Sequence, residues 1–147
     1  MKSYIRCSLI LVLTLILCIC LFACGEKKEG KVIVIEKEFN LAKGSKFTYS
    51  LNVKGKIKNV GDVDVKNIVV AGRCNACDEM MISGKWFVTQ TVRSREQQDT
   101  ITYLAKDAEA EFQFMGIAYY YTKEGEASQT FPEGLEVFID SFEVVEK

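Results

Sequence analysis

Cys74-Asn75-Ala76-Cys77 is the strongest chemical signal in the chain, and Met80 and Met81 follow within a few residues. Two thiols at this spacing admit three chemistries. A disulfide is favoured in an exported domain. Closing so small a loop stabilises by about 2 kcal/mol at most on the loop-entropy relation. A thioredoxin-like redox pair needs its first cysteine at a helix N-terminus, where the dipole lowers the thiol pKa; no helical pattern follows here. Zinc wants four ligands, and the chain has no histidine. Cys74, Cys77, Met80 and Met81 together do offer soft donors of the kind Cu(I) prefers. A Cys74–Cys77 disulfide is the expected state, with a soft-metal (Cu or Zn) or thiol-redox role as the alternative.

Acid–base catalysis finds little to work with. Without histidine the commonest general base is missing, and no G-x-S-x-G elbow presents a nucleophilic serine. Asp78-Glu79 and Glu109 with Glu111 are carboxylate pairs, but 27% of the residues are charged, so acid-rich surface is ordinary here. The expectation is a non-enzyme that holds no cofactor. Tyr119, Tyr120 and Tyr121 must point to alternate faces of a strand, which turns part of this row outward. Tyr119, Tyr121 and Trp86 are the candidate ligand surface, since tyrosine and tryptophan are favoured where proteins meet partners. Tyrosines flanking a packed strand are the plainer alternative.

The N-terminus decides where this chemistry would operate. Lys2 and Arg6 precede the apolar run 8–22, interrupted only by Ser8 and Thr14. As a helix that run spans roughly 22 Å, short of the roughly 30 Å hydrocarbon core, so it reads as a secretory signal. It ends in Leu21-Phe22-Ala23-Cys24-Gly25, which resembles the bacterial lipobox. The resemblance implies cleavage before Cys24, lipidation of that cysteine, and an anchor on the extracytoplasmic face of the cell membrane. An ordinary signal peptide cut near Ala23, with Cys24 left as a thiol, is the alternative. Cys7, Cys18 and Cys20 would be discarded, leaving Cys74 and Cys77 as the only thiols of the folded part. Losing Lys2 and Arg6 leaves 17 basic residues against 20 acidic ones, a net charge of −3. That balance gives no reason to expect a nucleic-acid partner. The expected partners are the membrane, through the anchor, and a protein or cell-wall glycan.

Three parts follow: a signal peptide at 1–23, a lipidated, charged tether at 24–31, and one domain at 32–147. The domain is built of strands. Residues 47–59 alternate with a period of two, Phe47, Tyr49, Leu51, Val53, Gly55, Ile57 and Asn59 facing inward, and Lys54, Lys56 and Lys58 outward. This basic stripe reads as protection against edge pairing, with attraction to anionic polymer or lipid headgroups as a second reading. Residues 32–35 make a short first strand, and 40–45 break the chain before the long one. Gly61-Asp62 forms a turn suited to positive φ. In the next run Val63 and Val65 share one parity and Ile68 and Val70 the other, which predicts a bulge near Lys66-Asn67. Strands are also expected at 85–92, 101–104 and 109–121, and a last one at 135–145. Residues 93–100 read as a loop or single helical turn, 105–108 as a turn, and 122–134, with the only proline, as a loop. In 109–121, Phe112, Phe114, Gly116, Ala118 and Tyr120 are assigned to one face and Met115, Ile117, Tyr119 and Tyr121 to the other. Apolar residues on both faces from Phe114 onward make this strand central, or leave one outer face covered by a loop. About seven strands and no sustained helical spacing predict an all-β, immunoglobulin-like antiparallel β-sandwich.

Val53-Lys-Gly55-Lys-Ile57-Lys-Asn59-Val-Gly61-Asp62, then Val65-Lys-Asn-Ile68-Val-Val70 and later Glu111-Phe112-Gln113-Phe114, resembles immunoglobulin-like modules of the CARDB and FxLYD types. The resemblance covers residues 51–114. It implies a sandwich that serves adhesion or scaffolding more often than catalysis, in an exported protein. No leucine-tyrosine-aspartate follows Trp86-Phe87, so it brings no binding residues with it.

Overall fold

The computed structural model describes residues 28–89, 95–128 and 130–146. The signal segment and Cys24 lie outside the described residues. Seven strands run in chain order: β1 (Val32–Lys43), β2 (Thr48–Asn59), β3 (Val65–Cys74), β4 (Lys85–Phe87), β5 (Gln98–Leu104), β6 (Glu109–Tyr121) and β7 (Leu135–Val144). They form two antiparallel sheets, β1-β2-β6-β4 and β5-β3-β7, packed face to face. The expected all-β sandwich is what the chain builds. Four strands facing three is also the count of an immunoglobulin constant-type domain. The order differs from that arrangement: the sixth strand lies beside β2, and the fifth pairs with β3.

Alternation places the core. Leu51, Val53, Ile57 and Asn59 of β2 are buried, and Val53 and Ile57 cluster with Val65, Ile68 and Val70 of β3 and Phe112, Phe114 and Ile117 of β6. Each such aliphatic or aromatic side chain contributes about 1.5–3 kcal/mol by leaving water. The predicted phase change in β3 is present. Asn67 takes φ 51°, and the pairing with β7 slips between Lys66 and Val69, so that Val65, Ile68 and Val70 all point inward.

A bulge in β6 corrects the assignment of Ile117. Gly116 has φ 72°, and the register against β2 jumps from Val53↔Phe114 to Leu51↔Ala118. The extra residues turn Ile117 into the core beside Phe114, not away from it. A glycine inside a strand was the available signal for this bulge. β6 is central, as expected, between β2 and β4.

Other boundaries move for physical reasons. β1 continues to Lys43 instead of stopping at residue 35, and the break falls at 44–47. Its charged middle belongs in a strand because Glu36 and Glu38 meet Lys56 and Lys54 across the pair, at 3.3 and 3.1 Å. β2 is therefore internal, flanked by β1 and β6, and its lysines are not edge protection. Lys58 likewise pairs with Glu109 at 3.0 Å. β4 is only three residues long, whereas β5 begins at Gln98, directly after a 3₁₀ turn at Arg95–Gln97. Phe47 lies before β2 and is 37% exposed, not inward.

The turn after β2 also works differently from the expectation. Gly61 is not among the positive-φ residues. A Cβ there would collide with Lys31 N and come within 2.6 Å of Glu29 O, so the glycine serves a close approach of two backbones. Val60 N donates to Lys31 O at 2.7 Å and Asp62 N to Glu29 O at 2.9 Å, extending the β1–β2 pairing past the strand ends.

Candidate functional site: the loops around the Cys74–Cys77 disulfide

Strand directions sort the connections into two poles. Residues 28–31, the β2–β3 turn, the β5–β6 turn and the chain beyond β7 lie at one pole, because β1 and β6 begin there and β2, β5 and β7 end there. Loops 44–47, 75–84 and 122–134 lie at the other. Twelve residues of strand at 3.2–3.4 Å each separate the poles by about 40 Å.

Cys74 is the last residue of β3 and is joined to Cys77, with Cα atoms 5.5 Å apart. Both are half-buried, and Cys74 packs at the edge of the core. Its Sγ lies 3.8 Å from Glu133 O. A disulfide sulfur carries no proton, so this is a packing contact and not a hydrogen bond. Asn75 N donates to Gly134 O at 3.0 Å, fastening the start of the loop to the start of β7. Farther along, Asp78 N donates to Trp86 O at 3.0 Å and Val88 N to Asp78 O at 2.9 Å, which lays the loop along the edge of β4. Lys85 pairs with Asp78 at 3.3 Å. No helix follows Cys74, so the dipole a redox pair would use is not in place. With each sulfur bonded to the other, neither is a thiolate ligand. Met80 and Met81 are 70% and 58% exposed. Among the described residues no three His, Cys, Asp or Glu side chains converge as a metal site.

The aromatic candidates do not form one surface. Trp86 is registered opposite Tyr120 and Lys85 opposite Tyr121, so Trp86 shares a face with Tyr120, and Tyr119 and Tyr121 occupy the other. Trp86 and Tyr120 rings lie 5.3 Å apart, and the indole N–H donates to Thr130 O at 3.1 Å. Tyr119 leans on buried Phe87 at 5.9 Å and on the backbone at Gly116. All three candidates are half-buried. Trp86 and Tyr119 pack against neighbouring rings of the sheet, and Trp86 holds the 122–134 loop, which Tyr49 Oη also grips through Gly125 O at 2.6 Å.

Two side chains make bonds that their spacing in the sequence does not announce. Gln97 is buried and donates to Gly116 O at 2.6 Å, fixing the bulge in β6. Asn59 is fully buried; its Nδ2 donates to Val63 O at 2.8 Å and Leu104 O at 3.3 Å. The strand-end asparagine two residues before a glycine marked this position, but nothing in its spacing revealed the partners.

The outer face of β1, β2 and β6 carries a concavity of about 730 Å³, lined by Glu36, Glu38, Lys54, Lys56, Asp99 and Glu111 among others. Lys54 and Lys56 there are engaged by Glu38 and Glu36. Tyr103 and Glu143 have clearly displaced pKa values, and neither belongs to the disulfide loops.

The fold defines a small all-β protein of two packed antiparallel sheets. Comparison with protein-family models, with curated proteins and with solved structures gives no match to this chain.

Proposed function

We propose that this chain is a lipid-anchored lipoprotein of the extracytoplasmic membrane face, acting as a non-enzymatic binding or scaffold module for protein or cell-wall glycan. The observation that carries the reading is the opposition of the poles. Residue 28, four positions after Cys24, enters at one end, and the exposed apolar loops sit about 40 Å away at the other. Anchoring at Cys24 would hold those loops clear of the bilayer. The apolar run 8–22, the Leu21-Phe22-Ala23-Cys24 motif and the charged tether support the anchor. The resemblance of residues 51–114 to CARDB and FxLYD modules supports an exported scaffold domain. Metabolic labelling with a palmitate analogue tests the reading. Label and membrane recovery are expected for the wild type and lost in Cys24→Ala. An unlabelled wild-type chain in the soluble fraction would sink it.

A second reading gives the Cys74–Cys77 pair a thiol-redox or soft-metal role. The half-exposed position of both cysteines, at the end of β3 and in the loop after it, favours it. Copper titration of the reduced full chain, repeated on Cys74→Ser, separates the two. Thiol-dependent binding supports this reading, and its absence leaves the first.

A further inference from the structure

Loops 44–47, 75–84 and 122–134 are tied into one surface. Thr122 N donates to Phe47 O at 2.9 Å, Gly84 N to Tyr121 O at 2.8 Å and Lys123 N to Ser83 Oγ at 3.2 Å. The Asn75–Gly134 bond and the disulfide close the circuit. Five of the eleven large apolar side chains exposed among the described residues lie here: Phe47, Met80, Met81, Ile82 and Phe131. Methionine ranks among the residues most often fully buried, so two adjacent ones facing water need a reason. An unbranched, polarizable side chain adapts to the shape of whatever covers it, and methionine is used heavily on binding surfaces.

The charge of the same loops narrows what that cover is. They carry Asp78, Glu79, Glu124, Glu126 and Glu133 against Lys46 and Lys123, a net charge of −3. Lys85 offsets Asp78, while the other four carboxylates are exposed. An anionic lipid surface, or a second copy presenting the same pole, meets like charge within a screening length of roughly 8 Å. A glycan gains little from methionine and isoleucine.

We infer that this pole docks a basic amphipathic segment of a protein partner. Its apolar face covers Met80, Met81, Ile82 and Phe131, and its lysines or arginines lie over Glu79, Glu124, Glu126 and Glu133. The inference rests on the binding-module reading and names the partner's chemistry. The ties between the loops limit the ordering entropy lost on docking, and complementary charge steers the approach.

The full chain, anchored in phosphatidylcholine vesicles, is titrated with a leucine–lysine amphipathic peptide and with its leucine–glutamate counterpart, using empty vesicles as the blank. Saturable binding of the lysine peptide is expected, at least about tenfold tighter than the glutamate peptide. Met80→Ser with Met81→Ser weakens it about tenfold, as loss of central anchors does. Glu124→Lys with Glu126→Lys weakens it comparably, and so does added salt. Urea midpoints of both variants should match the wild type, since all four positions are exposed. Equal affinity for the two peptides overturns the inference, as does insensitivity to both variants. So does preference for anionic vesicles over peptide, or self-association through these loops. If the wild type carries the label but binds neither peptide saturably, the docking inference fails and the module reading stands. If the wild type takes no label and stays soluble, the module reading itself fails.

Discussion

The Gly61 N–H donates to Asn59 Oδ1 at 3.0 Å, at a point where Asn59 is wholly out of water. The same side chain donates to Val63 O and Leu104 O, while its backbone joins Ala108 and Asp107. One carboxamide thus fastens the end of β2 to the turns before β3 and β6. Asn59→Ala leaves a buried N–H and two carbonyls without that partner, and should lower stability by about 2–4 kcal/mol. Urea denaturation measures it. A loss below about 0.5 kcal/mol would mean that water replaces the side chain.

Gly61 makes a different demand. Since the requirement is space and not positive φ, Gly61→Ala and Gly61→Asn should be equally harmful, although asparagine tolerates the left-handed region. The Val60 and Asp62 amides, which bond Lys31 and Glu29, should then exchange with deuterium faster than in the wild type. Tolerance of Asn alone would restore the conformational explanation.

The disulfide should act locally. Alkylation without reductant should modify neither Cys74 nor Cys77, as read by intact mass. Replacing both with serine should cost about 2 kcal/mol or less, because the loop closed is so short. Faster exchange at Asn75 and Asp78, with the β2 and β6 amides unchanged, is the expected pattern. Global unfolding of the double variant would give the bond a larger role than loop closure explains.

Glu143 supplies a pH signature. The hydrogen bond from Asn67 Nδ2 at 3.1 Å, and secondarily Lys66, hold its carboxyl below the usual glutamate range. A depressed folded-state pKa means stabilisation that is present above the unfolded value of 4.5 and lost as pH falls through the folded one. Asn67→Gly keeps the positive φ and removes the donor. Carbon-detected titration should show the Glu143 pKa rising toward the ordinary value in that variant. An unchanged titration would assign the shift to Lys66.

What the sequence disclosed follows from period. The alternation of β2, the slip at Asn67 and the central place of β6 depend on side chains next to one another in the chain, so they were legible. The length of β1 was not, because Glu36, Lys37 and Glu38 look like a loop until Lys54 and Lys56 are opposite them. Ile117 was misplaced because the bulge at Gly116 turns it inward, while Ala118 beyond it keeps the face of Phe114. Cys74 and Cys77 declared their pairing through spacing and through the export expected from the N-terminal segment. The five exposed side chains around them did not stand out, since Phe47 and Phe131 read as ordinary apolar residues until the loops meet.

The extension of β1–β2 pairing through Lys31–Val60 and Glu29–Asp62 has a mechanical consequence. A pull on residue 28, opposed at the far pole, runs along β1 and across its bonds to β2. Those bonds lie perpendicular to the strands, so the tension shears the whole ladder together instead of unzipping it rung by rung. Along that axis the domain is a stiff coupler, and the first rungs to feel the load are the two beside Gly61.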